Sequence, residues 1–442
     1  MSLISEASIL SNKRVALSNP GTKLNDLYYT KENSTVDLVE CTFSTGRFKQ
    51  TLSSPVFGGS SQVNIPNGSF LGTCYLHLEL PTMVNATANL NVNRGWGYAA
   101  INNISFLFGS SNVSQLQISG QSIMHLLMSQ SETSDKISEY FNLGGEATWP
   151  DSVGTPPNGP ASYVSADLLL PFPWSSFNAL CSKKEFDTDC LRNPITINIT
   201  FNPASSFIGG VADTAIAAYA TQFSKAQITC RQGDLTNKDL SLGTRLNMFP
   251  ELMYAYPFIH TQSFQSQSFT GVTAGNGSAT VQLSQFINAD LVAIVFSVVK
   301  NSYLTKPSGA ALVANPFVYD EIRDLQLTRN GQVIYDAPGY ANKLINMHGM
   351  YGGSAMGVNL VTGSPGSTPT QGGVPSYCTI VDFSRLRSTF YCDGYQNVLR
   401  IPNQVLSLNL NTTSTDTYTL FATYFYDGVN EVQASESRII FS

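Results

Sequence analysis

The sequence predicts an all-β protein: two tandem eight-stranded antiparallel jelly-roll sandwiches with long, partly helical tower loops. Three observations predict it. Apolar and polar residues alternate with period two over much of the chain, helical periodicity is scarce, and one set of landmarks occurs twice in the same order.

The alternating runs come first. Phe70, Gly72, Cys74, Leu76, Leu78 and Leu80 face one way, with Ser69, Thr73, His77 and Glu79 on the other side. Ile195, Ile197, Ile199 and Phe201 alternate with Thr196, Asn198 and Thr200, and Leu406, Leu408 and Leu410 with Ser407 and Asn409. Such runs read as half-buried antiparallel strands, and the Gly, Pro, Asn and Ser clusters between them read as turns. Only two segments carry helical spacing. One joins Ile123, Leu126 and Leu127 to Ile137 and Phe141; the other, shorter, runs from Tyr340 to Met347.

The landmarks then pair off. Ile101, Ile104 and Phe106 match Ile322, Leu325 and Leu327, each set followed by a turn glycine, Gly109 or Gly331. Gly120 and Gly339 each open a helical stretch. A Gly/Pro-rich loop follows in each half, 144–162 and 352–375, and then an apolar strand, Ala166 to Leu170 and Thr379 to Phe383. Leu191-Arg192-Asn193-Pro194 and Leu399-Arg400-Ile401-Pro402 precede the next strands. The shift is 221 residues between Ile101 and Ile322 but 208 between Pro194 and Pro402, so the first half carries the longer loops. A diverged tandem duplication accounts for five matches in one order. The expected division is an N-terminal arm at 1–35, a first jelly roll at 36–235, a linker at 236–250 and a second jelly roll at 251–442. Each half has room for eight strands in two facing sheets, the jelly-roll arrangement, with the helical loop after about the fourth strand. Loops this long usually carry function.

Composition narrows the function. The 442 residues are 42% hydrophobic and only 12% charged, about half the usual charged share. Twenty-four Lys and Arg against 30 Asp and Glu leave a net charge of −6, which argues against direct sequence-specific binding of nucleic acid. The first residues, Met1 to Ala7, lack the basic stretch and apolar core of a secretory signal. The longest apolar run, Leu291 to Phe296, is far too short to cross a bilayer, so a soluble protein on the reducing side of membranes is expected. Seven cysteines (Cys41, Cys74, Cys181, Cys190, Cys230, Cys378 and Cys392) show no C-x-x-C spacing. Buried thiols are expected; Cys181 and Cys190 are the nearest pair.

Reactive chemistry is not expected. The sequence has no phosphate-cradling glycine loop, no H-E-x-x-H and no G-x-S-x-G. His77, His125, His260 and His348 lie far apart without second ligands at metal-binding spacing. Glu185, Asp187 and Asp189 read as a solvated loop, and Asp320, Glu321 and Asp324 as surface partners of Arg323. Trp96, Trp149 and Trp174 could stack on sugars or bases, although core packing is the favoured reading for the strand aromatics. The expectation is therefore no enzyme, with no catalytic, cofactor-binding or metal-binding residue assigned and no cofactor.

The order of landmarks resembles the double jelly-roll major capsid proteins of the adenovirus-hexon, large eukaryotic DNA virus and virophage lineage. The residues that carry the resemblance are Val63 to Phe70, Leu78-Glu79-Leu80-Pro81, Gly95-Trp96-Gly97-Tyr98 leading to Ile104, Leu170-Pro171-Phe172-Pro173-Trp174, and Leu191 to Pro194. The chain departs from the large-virus pattern after its first half, where Gln227 to Asp234 replaces an aromatic-acidic strand; Tyr424-Phe425-Tyr426-Asp427 stands closer to it. The resemblance implies a major capsid protein whose homotrimer is a pseudo-hexagonal capsomer tiling the facets of an icosahedral double-stranded DNA virus shell. The implied partners are neighbouring capsomers, penton and minor capsid proteins and an underlying internal membrane. The implied location is the virion capsid, assembled in the cytoplasm of the infected cell. Loops 119–162 and 339–376 would then project outward as towers and knit subunits together. The alternative from another class is a jelly-roll carbohydrate- or receptor-binding viral protein, fibre-like or lectin-like.

Overall fold

A computed structural model describes residues 41–66, 70–81, 91–92, 94–107, 114–129, 131, 133–145, 165–170, 186–188, 194–209, 221–235, 253–284, 291–304, 314, 316–348, 358–360, 374–383, 405–433 and 436–441. The first half holds β1 (Cys41–Thr51), β2 (Ser60–Ile65), β3 (Phe70–Glu79), β4 (Asn91–Val92), β5 (Ile101–Leu107) and β6 (Ser114–Ile118). It continues with β7 (Ser165–Leu170), β8 (Phe186–Asp187), β9 (Ile195–Phe201), β10 (Ile208–Gly209) and β11 (Lys225–Leu235). The second half holds β12 (Met253–Thr270), β13 (Ala279–Ser284), β14 (Leu291–Lys300), β15 (Leu325–Arg329) and β16 (Gln332–Ala337). Then come β17 (Val358–Leu360), β18 (Val374–Ser376), β19 (Thr379–Asp382), β20 (Val405–Leu410), β21 (Thr417–Gln433) and β22 (Glu436–Phe441).

Two large sheets form in each half, beside a two-stranded one (β10-β4 and β17-β18), and the strand orders of the large sheets correspond. The first half pairs β1-β11-β3-β7, with β8 added beside β3, and β2-β9-β5-β6. The second pairs β12-β21-β14-β19, with β22 added beside β21, and β13-β20-β15-β16. Setting aside the short or added strands β4, β8, β10, β17, β18 and β22, each half reads 1-8-3-6 in one sheet and 2-7-4-5 in the other. Every pairing is antiparallel. That is the jelly roll twice over, and the matched landmarks fall on matched strands. The segment from Ile101 lies on the fourth strand and Ile322 just before its counterpart; Ala166 and Thr379 fall on the sixth strands, and Ile195 and Leu406 on the seventh.

Side-chain alternation explains why these segments are strands. Ile195, Ile197, Ile199 and Phe201 are buried along β9 while the residues between them are half-exposed, and β20 repeats this with Leu406, Leu408 and Leu410. In β3 the phase slips. The sequence reading put Phe70, Gly72 and Cys74 on the inner side, yet Leu71 is buried together with Cys74. Cys74 pairs with Cys230 and Leu71 with Gln232, so two residues of β3 oppose one of β11; the bulge reverses the alternation beyond it.

Helical spacing resolves into three helices: α1 (Gly120–Ser129), α2 (Ser134–Leu143) and α3 (Ala341–His348). The hydroxyl of Ser119 accepts from the Ser122 amide at the start of α1, and the side chain of Thr133 accepts from the Lys136 amide at the start of α2. The helical loop follows the fifth strand of each sandwich, one strand later than the sequence reading placed it. Of the expected outward towers, 146–164 and 361–373 lie outside the described residues. The described beginning of the first one runs inward instead. Every α1 residue from Ser122 to Ser129 is buried, because the helix lies between the two sandwiches.

Candidate assembly surfaces

The seam between the halves is built by α1 against the outer face of the second sandwich. Strands β14 and β21 form adjacent central strands there, and both are buried on both faces: residues 293–299 and 418–425 are all buried. Alternate residues serve different cores. Ile294, Phe296, Val298, Leu420, Ala422 and Tyr424 pack inside the second sandwich. Ala293, Val295, Val299, Phe421 and Phe425 join the core of the first half, where Leu126 and Met128 of α1 also lie. A near-continuous apolar strand is what burial on two sides demands, which explains the run Leu291 to Phe296.

Polar groups in this seam are paired. His125, fully buried, places Nδ1 2.7 Å from Thr423 Oγ1 and Nε2 2.6 Å from Ser297 Oγ. Its ring lies 5.6 Å from that of Tyr319. Burial pushes the imidazole pKa down to about 3, so the ring is neutral and gives one donor and one acceptor to the two hydroxyls. One turn earlier, Gln121 Nε2 donates to the Pro316 carbonyl at 2.8 Å and Gln121 Oε1 accepts from the Tyr319 hydroxyl. Phe141 of α2 meets Phe317 edge-on, with centroids 6.0 Å apart. Neutral hydrogen bonds and apolar area therefore join the halves. The ion pairs between described residues join side chains of the same half, His77, Glu79, Asp167 and Lys225 in the first and Lys300, Asp320, Asp416, Glu321 and Lys343 in the second.

The loop ahead of β5 braces the other side of α1 and α2. Gly95 and Gly97 donate their amides to the carbonyls of Gly145 and Gly144 at 2.7 and 2.8 Å. Between them Trp96 is buried, stacked on Phe207 and Phe223, and Phe57 meets both of those rings edge-on. Gly145 has φ of 110°, and a Cβ there would stand 2.2 Å from the Trp96 indole nitrogen. Trp96 is thus a core residue and cannot stack on a sugar or base. Trp149 and Trp174 lie outside the described residues.

The remaining residues weighed from sequence are dispersed. Asp320 does not pair with Arg323. It accepts from the Tyr418 hydroxyl at 2.8 Å and from Thr413 at 3.1 Å. Glu321 binds Lys343 at 2.7 Å, and Asp324 accepts from the Gly339 amide and the Asn411 side chain. The expected surface pairing with Arg323 is corrected accordingly: each carboxylate instead ties a turn or helix to the second sandwich. Glu185, Asp189, Cys181, Cys190 and Cys392 lie outside the described residues, as do the side chains of Asp187, Cys41, His260 and His348. Cys74, Cys230 and Cys378 are buried thiols outside any disulfide.

Sequence reasoning missed one polar cluster. On the outer face of the first sandwich, His77 lies 2.7 Å from Asp167 through Nδ1 and 2.8 Å from Glu79 through Nε2, and Lys225 lies 3.0 Å from Glu79. The signal available was the His77-x-Glu79 spacing, which puts both on one strand face; Asp167 is the register partner of His77 across β7. The imidazole separates the two carboxylates, so they do not converge on a common point. Among the described residues no group of three or more such side chains could hold a metal ion, and no helix is long and apolar enough to cross a membrane.

No family model matches the sequence, and no curated protein matches it. Solved structures do. VP54 of the virus PBCV-1, as fitted into a reconstruction of the virophage Sputnik, superposes with a TM-score of 0.57 at 15% identity, over 91% of this chain and 97% of that one. The PBCV-1 virus capsid gives 0.56 at 12% identity, over 91% and 97%. The Sputnik virophage structure gives 0.53 at 13% identity, over 91% and 88%. Structures of this group are double jelly-roll capsid proteins. This chain has the double jelly-roll fold. At such identities the likeness is one of fold, and it extends over nearly the whole of both chains.

Proposed function

We propose that this chain is the major capsid protein of an icosahedral double-stranded DNA virus, and that it works as a homotrimeric, pseudo-hexagonal capsomer. The observation that carries the reading is the repeated 1-8-3-6 and 2-7-4-5 topology in one chain, with the two sandwiches locked by a buried seam. A rigid pair of like modules lets three chains present six similar sides, and six-sided tiles pack on a flat facet. The work of such a protein is area: obligate interfaces exceed the roughly 1,600 Å² of a standard contact and are more apolar than transient ones.

The reading assigns residues 36–235 and 251–442 to the two modules, 236–250 to the linker and 1–35 to an arm reaching beneath a neighbour. Neighbouring capsomers, penton and minor capsid proteins and an internal membrane are the proposed partners, and the virion is the proposed location. The size of the purified full chain, with negative-stain microscopy, tests the reading. A particle of about 144 kDa, three times 47.9 kDa, with a six-sided outline supports it. A monomer at all concentrations that binds glycans would replace it with the receptor-binding reading.

A further inference from the structure

Cys74 and Cys230 are register partners on the antiparallel pair β3 and β11, 156 positions apart in sequence, and their sulfurs lie 2.7 Å apart. Both are fully buried on the core side of the first sandwich, Cys74 in line with Leu76 and Leu78, Cys230 in line with Ile228 and Ala226. Register partners across antiparallel strands have Cα atoms about 4.5 or 5.5 Å apart, inside the roughly 4.4–6.8 Å that a disulfide spans. The strands already hold the two side chains where a bond between them needs no backbone movement. Cys378 sits differently: its thiol donates to the Phe296 carbonyl at 3.7 Å.

The pair stands where its sheet is interrupted. Strand β11 runs between β1 and β3, and both neighbours bulge beside Cys230. On one side Phe48 is opposite Cys230 and Thr45 opposite Arg231, so Gly46 and Arg47 are extra in β1. On the other, Cys74 is opposite Cys230 and Leu71 opposite Gln232, so one β11 residue faces both Gly72 and Thr73. Bulged residues drop out of the ladder and interrupt its hydrogen bonds. The eighth strand of the second sandwich, β21, is flanked by bulges too, but its residues 418–425 are buried on both faces. Strands β3 and β11 have packing on one face only: Tyr75, His77 and Thr229 on the other are exposed or half-exposed.

We propose that Cys74 and Cys230 are a redox-sensitive lock, thiols in a reducing compartment and a disulfide in an oxidising medium, where the bond fastens β11 to β3 across the interrupted ladder. The oxidant is a small-molecule disulfide. The thiolate of one cysteine attacks a sulfur of that disulfide and expels one small thiolate; the other cysteine then attacks the mixed disulfide and expels the second. One S–S bond forms in the protein, the S–S bond of the oxidant breaks, and the two cysteine protons leave on the two released small thiols. Because both sulfurs are buried, exchange runs through transient opening of the strand pair. The bond therefore closes slowly, and once the strands reclose it is shielded from reductant in the same way. A cross-link between residues so far apart in sequence removes much of the freedom of the unfolded chain. The inference goes beyond the capsid reading and does not rest on it.

The test takes the full chain, as wild type, Cys230→Ala and Cys378→Ala, through mixtures of oxidised and reduced glutathione, with a low urea concentration to speed opening. Samples are quenched in acid, digested and mapped by mass spectrometry for linked peptides, and urea unfolding is recorded for the oxidised and reduced forms. The expected result is a peptide joining Cys74 to Cys230 in the oxidised wild type, lost again in excess reduced glutathione, with a urea midpoint raised by roughly 1 M over the reduced chain. C378A should keep both the peptide and the shift, and C230A should lose both. A wild type equilibrated with oxidised glutathione that yields no such peptide overturns the proposal. So does a linked chain whose midpoint is unchanged or lower, or a shift that survives in C230A. The wild-type peptide map and midpoint decide the matter even where C230A fails to fold.

Discussion

Acid should loosen the joint between the two sandwiches through one residue, His125. In the folded chain it is fully buried, neutral, with a pKa pushed down to about 3 by loss of water, whereas an unfolded histidine titrates near 6.5. The sign follows from proton binding. Below pH 6.5 the unfolded chain takes up a proton that the folded chain refuses, so stability is present in full above pH 6.5 and falls as the pH drops toward 3. At pH 4.5 the unfolded state gains two pH units of proton binding, about 3 kcal/mol at 1.36 kcal/mol per unit. Carboxylates titrate over part of the same range, so the measurement is a difference. Urea unfolding of wild type and His125→Gln is followed from pH 7.5 to 4.5; glutamine offers a donor and an acceptor without titrating. The stability of wild type relative to H125Q should decline by about 3 kcal/mol over that interval. A difference that stays flat would show that His125 titrates in the fold as it does in water, and the neutral, closed seam would be refuted.

Three further outcomes follow from the packing. Gly145→Ala should cost at least about 2 kcal/mol in urea unfolding, since the positive φ and the Trp96 indole both oppose a side chain there. Cys74, Cys230 and Cys378 should resist a thiol reagent in the native protein and react once urea opens it; burial raises the Cys74 and Cys378 thiols well above their ordinary range, which suppresses the reactive thiolate. Glu79 is held below the ordinary carboxylate range by His77 foremost and then Lys225, so its contribution is present above the normal carboxylate pKa and fades as pH falls through the lowered value. Because the group meets solvent, Glu79→Gln should shift stability at pH 7 by less than about 1 kcal/mol, seen as a small change in urea midpoint.

The strands were legible because burial on one face writes itself into neighbouring residues. Ile195 to Phe201 carry the whole signal within seven positions, and the duplication could be read by matching such signals in order. The bulge in β3 was not legible, since whether Leu71 turns inward depends on how many residues of the distant strand β11 stand opposite it, between Cys230 and Gln232. The seam was hidden for a similar reason. His125 looks like any histidine on an apolar helix until Ser297 and Thr423 are brought to its two nitrogens. Helix α3 shows the limit from the other side. Its spacing identified a helix, and by the usual rule Leu344 and Ile345 would face the core; instead Asn346 takes that side, where it meets both backbone groups of Ile380, and Asn342 takes it beside the Tyr335 hydroxyl. Period reports which residues share a face, and only the unpaired groups opposite decide which face turns inward.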